Sequence, residues 1–302
     1  MRGDFPKLRP SRPADWGANV TVCIAAMANS GGSIIIAADQ MISTQMTTAD
    51  GVALKIFGVH PNWAVMSAGD MTQVAPILYA VRESLKDKEP LHAEVERAVV
   101  DAYKERLITE EEDQVLGRFG LTVKNFLSTG LKSFGDANFS QIVAELGQIT
   151  LGVELLAAGY DVKGLPHIFS VSHPGKVENH DVTGFWAIGS GQYSALGSLY
   201  FHSYNKRISP QEALFHVCEA KFMAERASGV GPASSVLCIG PEGRGEIGVQ
   251  EIIDLKEIRK IWEKEARPRM PKKLRDRMAI IIGTQGVTQR AFLGIRRPPS
   301  KT

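Results

Sequence analysis

Cysteine is scarce in this chain of 302 residues, which contains only Cys23, Cys218 and Cys238. The three form neither an even set nor the closely spaced pairs typical of zinc sites, so a disulfide framework and a cysteine-ligated metal are not indicated. The chain also lacks an apolar run long enough to span a bilayer, and its first residues lack the apolar centre of a secretory signal. We therefore expect a cytoplasmic protein with no membrane partner.

Motifs for metals and phosphates are also missing. The seven histidines form no HxxH or HExxH pattern, although histidine is a common metal ligand. The glycine-rich stretches lack the lysine and hydroxyl residue of a phosphate-binding loop. We therefore expect no metal and no cofactor.

Charge is small in total but uneven along the chain. The net charge is +2, yet the segment from Lys256 onward has 14 basic and 4 acidic residues, against 21 basic and 29 acidic residues before it. A basic tail attracts nucleic acid or an acidic protein surface. We favour docking on the acidic body or on a neighbouring subunit, because no known nucleic-acid motif accompanies the charge.

The apolar pattern divides the chain into three predicted parts. Residues 1–20 contain many prolines and basic residues without periodicity, which predicts a flexible leader. Residues 21–255 carry strand and helix patterns, and residues 256–302 form a basic C-terminal extension. Strands, two helices, strands, two helices and a last strand pair predict an α+β fold with two central sheets and helices outside them.

Two hairpins near the start of the second part are the clearest local predictions. Alternating residues from Val20 to Met27, the turn signal NSGG and the continuous apolar run SIIIAAD predict the first hairpin. Residues 55–67 predict the second, and Asp70 suits the N-cap of a helix over 71–87. Further helices are predicted over 91–108, 138–147, 192–204 and 210–227, and strands over 153–161, 167–173, 181–188, 234–239 and 246–254.

Four segments, in order, resemble proteasome β-type subunits. VTVCIAAMANSGGSIIIAAD resembles their opening, where a threonine begins the first strand, and LKIFGVHPNWAVMSAGD resembles the segment with a buried lysine and a later Ala-Gly pair. AIGSGQYSALGSLY matches their Gly-Ser-Gly helix start, and AERASGVG resembles their Asp-x-x-Ser-Gly segment. The resemblance implies the four-layer αββα sandwich of N-terminal-nucleophile hydrolases and a threonine peptidase that works through an acyl-enzyme.

The resemblance also implies roles for individual residues. Thr21 corresponds to the nucleophile, Lys55 to the lysine beside it, Asp39 to the carboxylate that pairs with the lysine, and Gly69 to the oxyanion-hole N–H. The spacings of 16 positions from Asp39 to Lys55 and 14 from Lys55 to Gly69 match the family without a gap.

Three further residues fall at family positions around the terminal amine. They are Ser190, Ser228 and Glu225, which stands where the family has aspartate. The extra methylene of glutamate displaces the carboxylate, so its contact with the amine is expected to be looser.

These residue types suit the chemistry of amide hydrolysis. A threonine hydroxyl needs a base to take its proton, and an α-amino group with a pKa near neutrality can act as that base. The Lys55 ammonium would favour the alkoxide, and Asp39 would keep that buried ammonium charged. A backbone N–H at Gly69 would face the developing oxyanion.

The nucleophile itself has two candidates, which lie on the same strand face because they are two residues apart. A gapless count back from Asp39 places Cys23 at the nucleophile position. Thr21 requires a first turn two residues longer, which NSGG supplies, and a threonine before a short apolar strand fits the family better. We prefer Thr21 and keep Cys23 as the alternative.

Catalysis by Thr21 requires a free amine at that residue, whereas 20 residues precede it. Either the leader is removed autocatalytically, although Val20 replaces the usual glycine, or translation starts at Val20 and the initiator is removed. The alternatives to a peptidase are an inactive proteasome-like assembly or binding subunit and a small-molecule amidase. The expected partners are further copies in a ring or related oligomer and a peptide or unfolded-protein substrate. A regulatory ATPase cannot be read from the sequence.

Overall fold

The structure is a computed structural model that describes residues 21–43, 48–51, 54–241 and 255–265. The predicted leader over 1–20, the predicted strand over 246–254 and the tail after Glu265 lie outside these residues. Contacts group the chain into two units, Met1–Leu255 and Lys256–Thr302. The division into leader, hydrolase domain and extension stays a prediction.

Two larger antiparallel sheets organise the strands of the described residues. The first has the order β10-β1-β2-β11 and the second the order β5-β6-β7-β8-β9, while β3 and β4 form a small separate pair. Their bounds are β1 Cys23–Ala28, β2 Ser33–Asp39, β3 Ile42–Ser43, β4 Thr48–Ala49, β5 Ile56–His60, β6 Trp63–Gly69, β7 Val153–Tyr160, β8 Pro166–Ser172, β9 Lys176–Asn179, β10 Phe185–Ile188 and β11 Ser234–Ile239.

The main helices follow the strands in two pairs, with one long helix between them. Their bounds are α1 Met71–Leu85, α2 His92–Glu111, α3 Val123–Leu146, α4 Gln192–Phe201 and α5 Pro210–Ala224. Asp70 caps α1 by accepting the N–H of Thr72 at 2.9 Å, as predicted. Ser209 and Glu212 form the capping box that starts α5. Among the residues after Leu255, α6 (Leu255–Glu265) is described.

Alternation along β1 divides its side chains between two apolar clusters. Ile24 and its neighbours on one face pack with Leu199 of α4 and Val217 of α5. Met27, on the other face, packs with residues of the second sheet such as Met66. The run SIIIAAD in β2 is buried throughout for the same reason, since both of its faces are covered. A further cluster joins α1 and α2 to the second sheet.

The segment 109–150 is more helical than its sequence indicates. The acidic run Glu110 to Asp113, whose sequence is compatible with a solvated helix face or a loop, is helical. It extends α2 to Glu111 and then forms a π-helical turn at Glu112–Leu116. The helix predicted over 138–147 is the end of α3, which is 24 residues long and kinked at Gly135 with φ of +73°. A small separate core around Phe126 and Leu116 stabilises this segment. Weak local periodicity concealed this helix because only one narrow side of α3 is buried.

No helix in the described parts of the chain is both long enough and apolar enough to cross a membrane.

Candidate active site

The strand register brings the ends of three strands together around Thr21. Cys23 pairs with Ala38 on β2 and with Ile188 on β10. Continuing the β10 register back by two residues places Thr21 beside Ser190, and continuing the β2 register back by one residue places Val22 beside Asp39. The N-terminal edge of β1 therefore lies between a carboxylate on one side and the Gly-Ser-Gly segment on the other.

A buried lysine connects the two sides of this site. Lys55 Nζ donates a hydrogen bond to Thr21 Oγ1 and lies 3.0 Å from both carboxylate oxygens of Asp39. Thr21 and Lys55 are each 2% exposed and Asp39 is fully buried. Lys55 lies just before β5, so the second hairpin places the Lys55 ammonium at the end of the first hairpin.

Backbone N–H groups hold the carboxylate of Asp39 in place. Val22 N donates to Oδ1 at 3.0 Å, while Met41 N and Gly231 N donate to Oδ2 at 3.0 and 3.4 Å. Such donors, together with the ammonium of Lys55, compensate the cost of burying the negative charge. The ion pair is therefore fixed in position, and its cation is directed at the Thr21 hydroxyl.

Cys23, the alternative nucleophile, lies in a different environment. Its thiol is fully buried and donates to the carbonyl oxygen of Ser67 at 3.4 Å. Burial, followed by the charge of Asp39, raises the pKa of this thiol far above its usual range. A thiol that resists ionisation is a poor nucleophile, so the geometry favours Thr21.

Ser190 contacts the backbone of Thr21. Its hydroxyl accepts from the backbone nitrogen of Thr21 at 3.2 Å and lies 3.3 Å from the Thr21 carbonyl oxygen. The same hydroxyl lies 3.2 Å from the carbonyl oxygen of Ser228, so Ser228 joins the cluster through its backbone. The hydroxyl of Ser190 thus lies where it would hold an amine at Thr21.

Glu225 lies at the end of α5, and its role beside the terminal amine stays a prediction. It forms an ion pair with Lys221, one turn earlier on α5, and Lys221 is 1% exposed. Lys221 Nζ also donates to the carbonyl oxygens of Gly231 and Pro232 at 2.8 and 2.9 Å. Because Gly231 in turn donates to Asp39, the pair fixes the loop that supports the catalytic carboxylate candidate.

Gly69 ends β6 with φ of +107°, a conformation that favours glycine. Its neighbour Ala68 lies close to Thr21, with Gly189 between them. A Cβ added at Gly189 would lie 3.2 Å from Ala68 Cβ and would overlap the carbonyl oxygen of Thr21. Gly69 is thus close to the site, and its role as an oxyanion donor stays a prediction.

Sequence reasoning missed two charged residues that support the site. Glu154 on β7 pairs with Ala68 and accepts the N–H of Gly189 at 3.0 Å. A single acid within the apolar strand VELLAAGY was the available signal. Lys221 gave no signal, because a lysine four residues before a glutamate is typical of an exposed helix face.

Metal-ligating side chains do not cluster at Thr21 within the described residues. The one group of the described chain that meets ligand distances is His202, His216 and Glu219, on α4 and α5. The Thr21 site thus offers an acid–base and electrostatic arrangement built from protein groups.

One comparison with known proteins gives a match. The family model described as proteasome subunit matches residues 133–230, which include Ser190, Glu225 and Ser228. Thr21, Asp39, Lys55 and Gly69 lie before the matched segment. No curated protein matches the chain. The resemblance to the proteasome subunit family is thus confirmed over residues 133–230, which match that family's model.

Proposed function

We propose that the chain is a threonine-type N-terminal-nucleophile hydrolase that cleaves peptide bonds once Thr21 is its first residue. The observation that carries the proposal is the buried contact of Lys55 Nζ with both Thr21 Oγ1 and the carboxylate of Asp39. A buried cation beside a hydroxyl favours the alkoxide over the neutral alcohol, which is what a threonine nucleophile requires.

The proposed reaction begins with attack of Thr21 Oγ1 on the substrate carbonyl carbon. The α-amine of Thr21 takes the hydroxyl proton and later gives it to the leaving amine. The Gly69 N–H stabilises the oxyanion, a type of contact worth roughly a hundred- to a thousandfold in rate. Water activated by the same amine then hydrolyses the Thr21 ester, which releases the acid and restores the hydroxyl.

The free amine is the condition on which this mechanism depends. In the chain that retains residues 1–20, the Thr21 nitrogen is an amide that donates to Ser190 Oγ at 3.2 Å. An amide nitrogen is not basic, so the chain with residues 1–20 attached is a zymogen in this proposal. Once freed, the nitrogen gains a lone pair that can accept the hydroxyl proton.

The finer features of the fold and assembly belong to the same proposal. Three apolar clusters support a four-layer αββα sandwich. One joins helices to the second sheet, one joins the two sheets, and one joins the first sheet to helices. We also propose self-association into a ring or related oligomer. Exposed aromatic residues on α4, including Tyr193 and Phe201 at 85% and 83% exposure, support a contact with a second copy.

The proposal is tested with a chain that begins at Thr21, released from a fusion partner cleaved directly before that residue. Intact mass confirms the terminus, and a panel of fluorogenic peptides and simple acyl amides measures hydrolysis. We expect this chain to hydrolyse peptides at least a hundredfold faster than the chain that retains residues 1–20. Only the shorter chain has an α-amine at Thr21 that can act as the base.

Two matched variants separate the candidate nucleophiles. Thr21→Ala should abolish hydrolysis, whereas Cys23→Ala, two residues away, should retain it. Hydrolysis of acyl amides alone would favour the amidase. A correctly processed, folded chain that cleaves no substrate of either class would contradict the proposal and favour the assembly subunit.

A further inference from the structure

Two histidines and a glutamate meet where α4 ends and α5 passes it, away from the Thr21 site. His202 follows the last residue of α4, and His216 and Glu219 are three residues apart on α5. Their candidate ligand atoms all lie within 4.8 Å of one another. The sequence does not reveal this group, because His202 lies fourteen positions before His216, and only His216 and Glu219 are close in sequence.

The distances within the group suit a small metal ion. His202 Nε2 lies 2.6 Å and His216 Nδ1 lies 3.9 Å from Glu219 Oε2. Tetrahedral zinc with bonds of about 2.0–2.1 Å separates its ligand atoms by about 3.3 Å. These separations lie on either side of that value, so small side-chain rotations would bring the three atoms to zinc-binding distances.

One ligand atom of the group has no other evident use. His216 Nδ1 is buried and, within the described residues, has no hydrogen-bond partner. Buried polar atoms are nearly always hydrogen-bonded, so an orphan nitrogen directed at a carboxylate requires an explanation. A metal ion shared by the nitrogen and the carboxylate supplies one.

The surroundings also suit a metal site. The rings of Phe201 and Phe215 each contact one of the two histidines, and Tyr204 contacts His216 edge to face. The buried ring of Tyr204 lowers the local polarity beside His216, which favours metal coordination. The side chains of the two histidines stay 29% and 20% exposed, which leaves a path for the ion.

We propose that His202, His216 and Glu219 bind a zinc ion that joins the end of α4 to α5. Two imidazole nitrogens and one carboxylate oxygen are a common zinc ligand set, and water completes the tetrahedron. The ion would fix the angle between the two helices. This site is independent of the proposed hydrolase activity.

The test is titration of the full chain, first stripped with a chelator, with zinc chloride alone. We expect one equivalent to bind in isothermal calorimetry and zinc to raise the thermal midpoint, with EDTA reversing the rise. Cobalt should give the visible absorption bands of a four-coordinate ion. Magnesium should not compete, because it prefers oxygen ligands.

Variants test whether the named residues hold the ion. Loss of a group that only supports a ligand costs about 10- to 100-fold in metal affinity, so His216→Gln and Glu219→Gln should cost at least that much. His60→Gln, at a histidine outside the group, is the matched control and should bind as the unaltered chain does. Circular dichroism without metal verifies that each variant is folded.

Two results would overturn the proposal. One is the absence of an equivalent of bound zinc on the unaltered chain, which would leave the group as a histidine–carboxylate ion pair. The other is zinc binding that a folded His202→Gln/His216→Gln chain retains at undiminished affinity, which would place the ion elsewhere.

Discussion

Replacing Lys55 by methionine tests whether its ion pair with Asp39 contributes to stability as a fixed, buried pair or as an ordinary surface pair. Methionine has nearly the length of the lysine chain and keeps the apolar packing, but it removes the ammonium. The carboxylate of Asp39, fully buried, then keeps its three backbone N–H donors and loses its cation. The perturbation is therefore an uncompensated charge rather than a cavity.

The expected cost follows from that uncompensated charge. Breaking a buried ion pair by removing one partner costs about 3–5 kcal/mol, whereas an exposed pair contributes at most about 1 kcal/mol. Because the N–H groups already share the charge of Asp39, we place Lys55→Met near the lower end, at about 3 kcal/mol. The pair of Lys176 and Glu178, at 2.6 Å with side chains 64% and 44% exposed, is the matched control.

The assay is urea denaturation of Lys55→Met, Lys176→Met and the unaltered chain. Lys176→Met should cost less than about 1 kcal/mol. Adding Asp39→Asn to Lys55→Met should cost less than the sum of the two single changes, because the lone charge is removed. A folded Lys55→Met chain that loses no more free energy of unfolding than Lys176→Met would show that the pair of Lys55 and Asp39 contributes no more than a surface pair.

Three further predictions concern backbone, thiol and imidazole groups. Gly189→Ala should cost more than about 1 kcal/mol of unfolding free energy in urea denaturation, because φ is +88° and a Cβ would overlap the carbonyl oxygen of Thr21. Gly197→Ala in α4 has open space around the new Cβ and should stabilise the chain by up to about 1 kcal/mol. Equal effects of the two changes would contradict this prediction. Iodoacetamide at neutral pH should modify exposed Cys238 in the native chain and leave buried Cys23 unmodified, as mapped by peptide mass, and rapid labelling of Cys23 would contradict its burial. Burial lowers the pKa of His180 from 6.5 to about 4, so the folded state favours the neutral ring. Stability should therefore fall by roughly 3 kcal/mol as pH falls from 6.5 through 4, and the pH profile of His180→Gln should be flatter by that amount; parallel profiles would exclude the effect.

Much of the fold follows from sequence patterns, because local signals and tertiary packing agree. The strand SIIIAAD and the N-cap at Asp70 occur where the pattern predicts them. The helix predicted over 210–227 begins at Pro210, after a capping box at Ser209. The two larger sheets and the order of the helices follow from the same periodicity. Physical consistency between turn chemistry and buried faces makes these elements predictable.

The segment 109–150 was harder because its burial is slight. Helix α3 buries only a few residues, among them Phe126 and Ile142, on a separate small core. Without a wide apolar stripe, neither the helix nor its kink at Gly135 produces a clear period. The acidic run likewise indicated a solvated surface but did not distinguish helix from loop.

In the site, the positions of the charged residues could be predicted from their spacing in the sequence, but the contacts that support these residues could not. The juxtaposition of Thr21, Lys55 and Asp39 follows from the predicted hairpins and the resemblance. The partner of Glu225 did not follow, because a helix pair with Lys221 is indistinguishable in sequence from a surface pair. Nor did the histidine and glutamate group on α4 and α5, since only the packing of the helices brings it together.

The central claim is that Thr21, once it is the first residue, is the nucleophile. The most direct measurement is the position of the adduct formed by an electrophile that reacts with both hydroxyl and thiol nucleophiles, mapped by peptide mass on a chain that begins at Thr21. We expect a single adduct on Thr21 and none on the chain that retains residues 1–20. An adduct on Cys23, or none on a folded chain with Thr21 free, would contradict it.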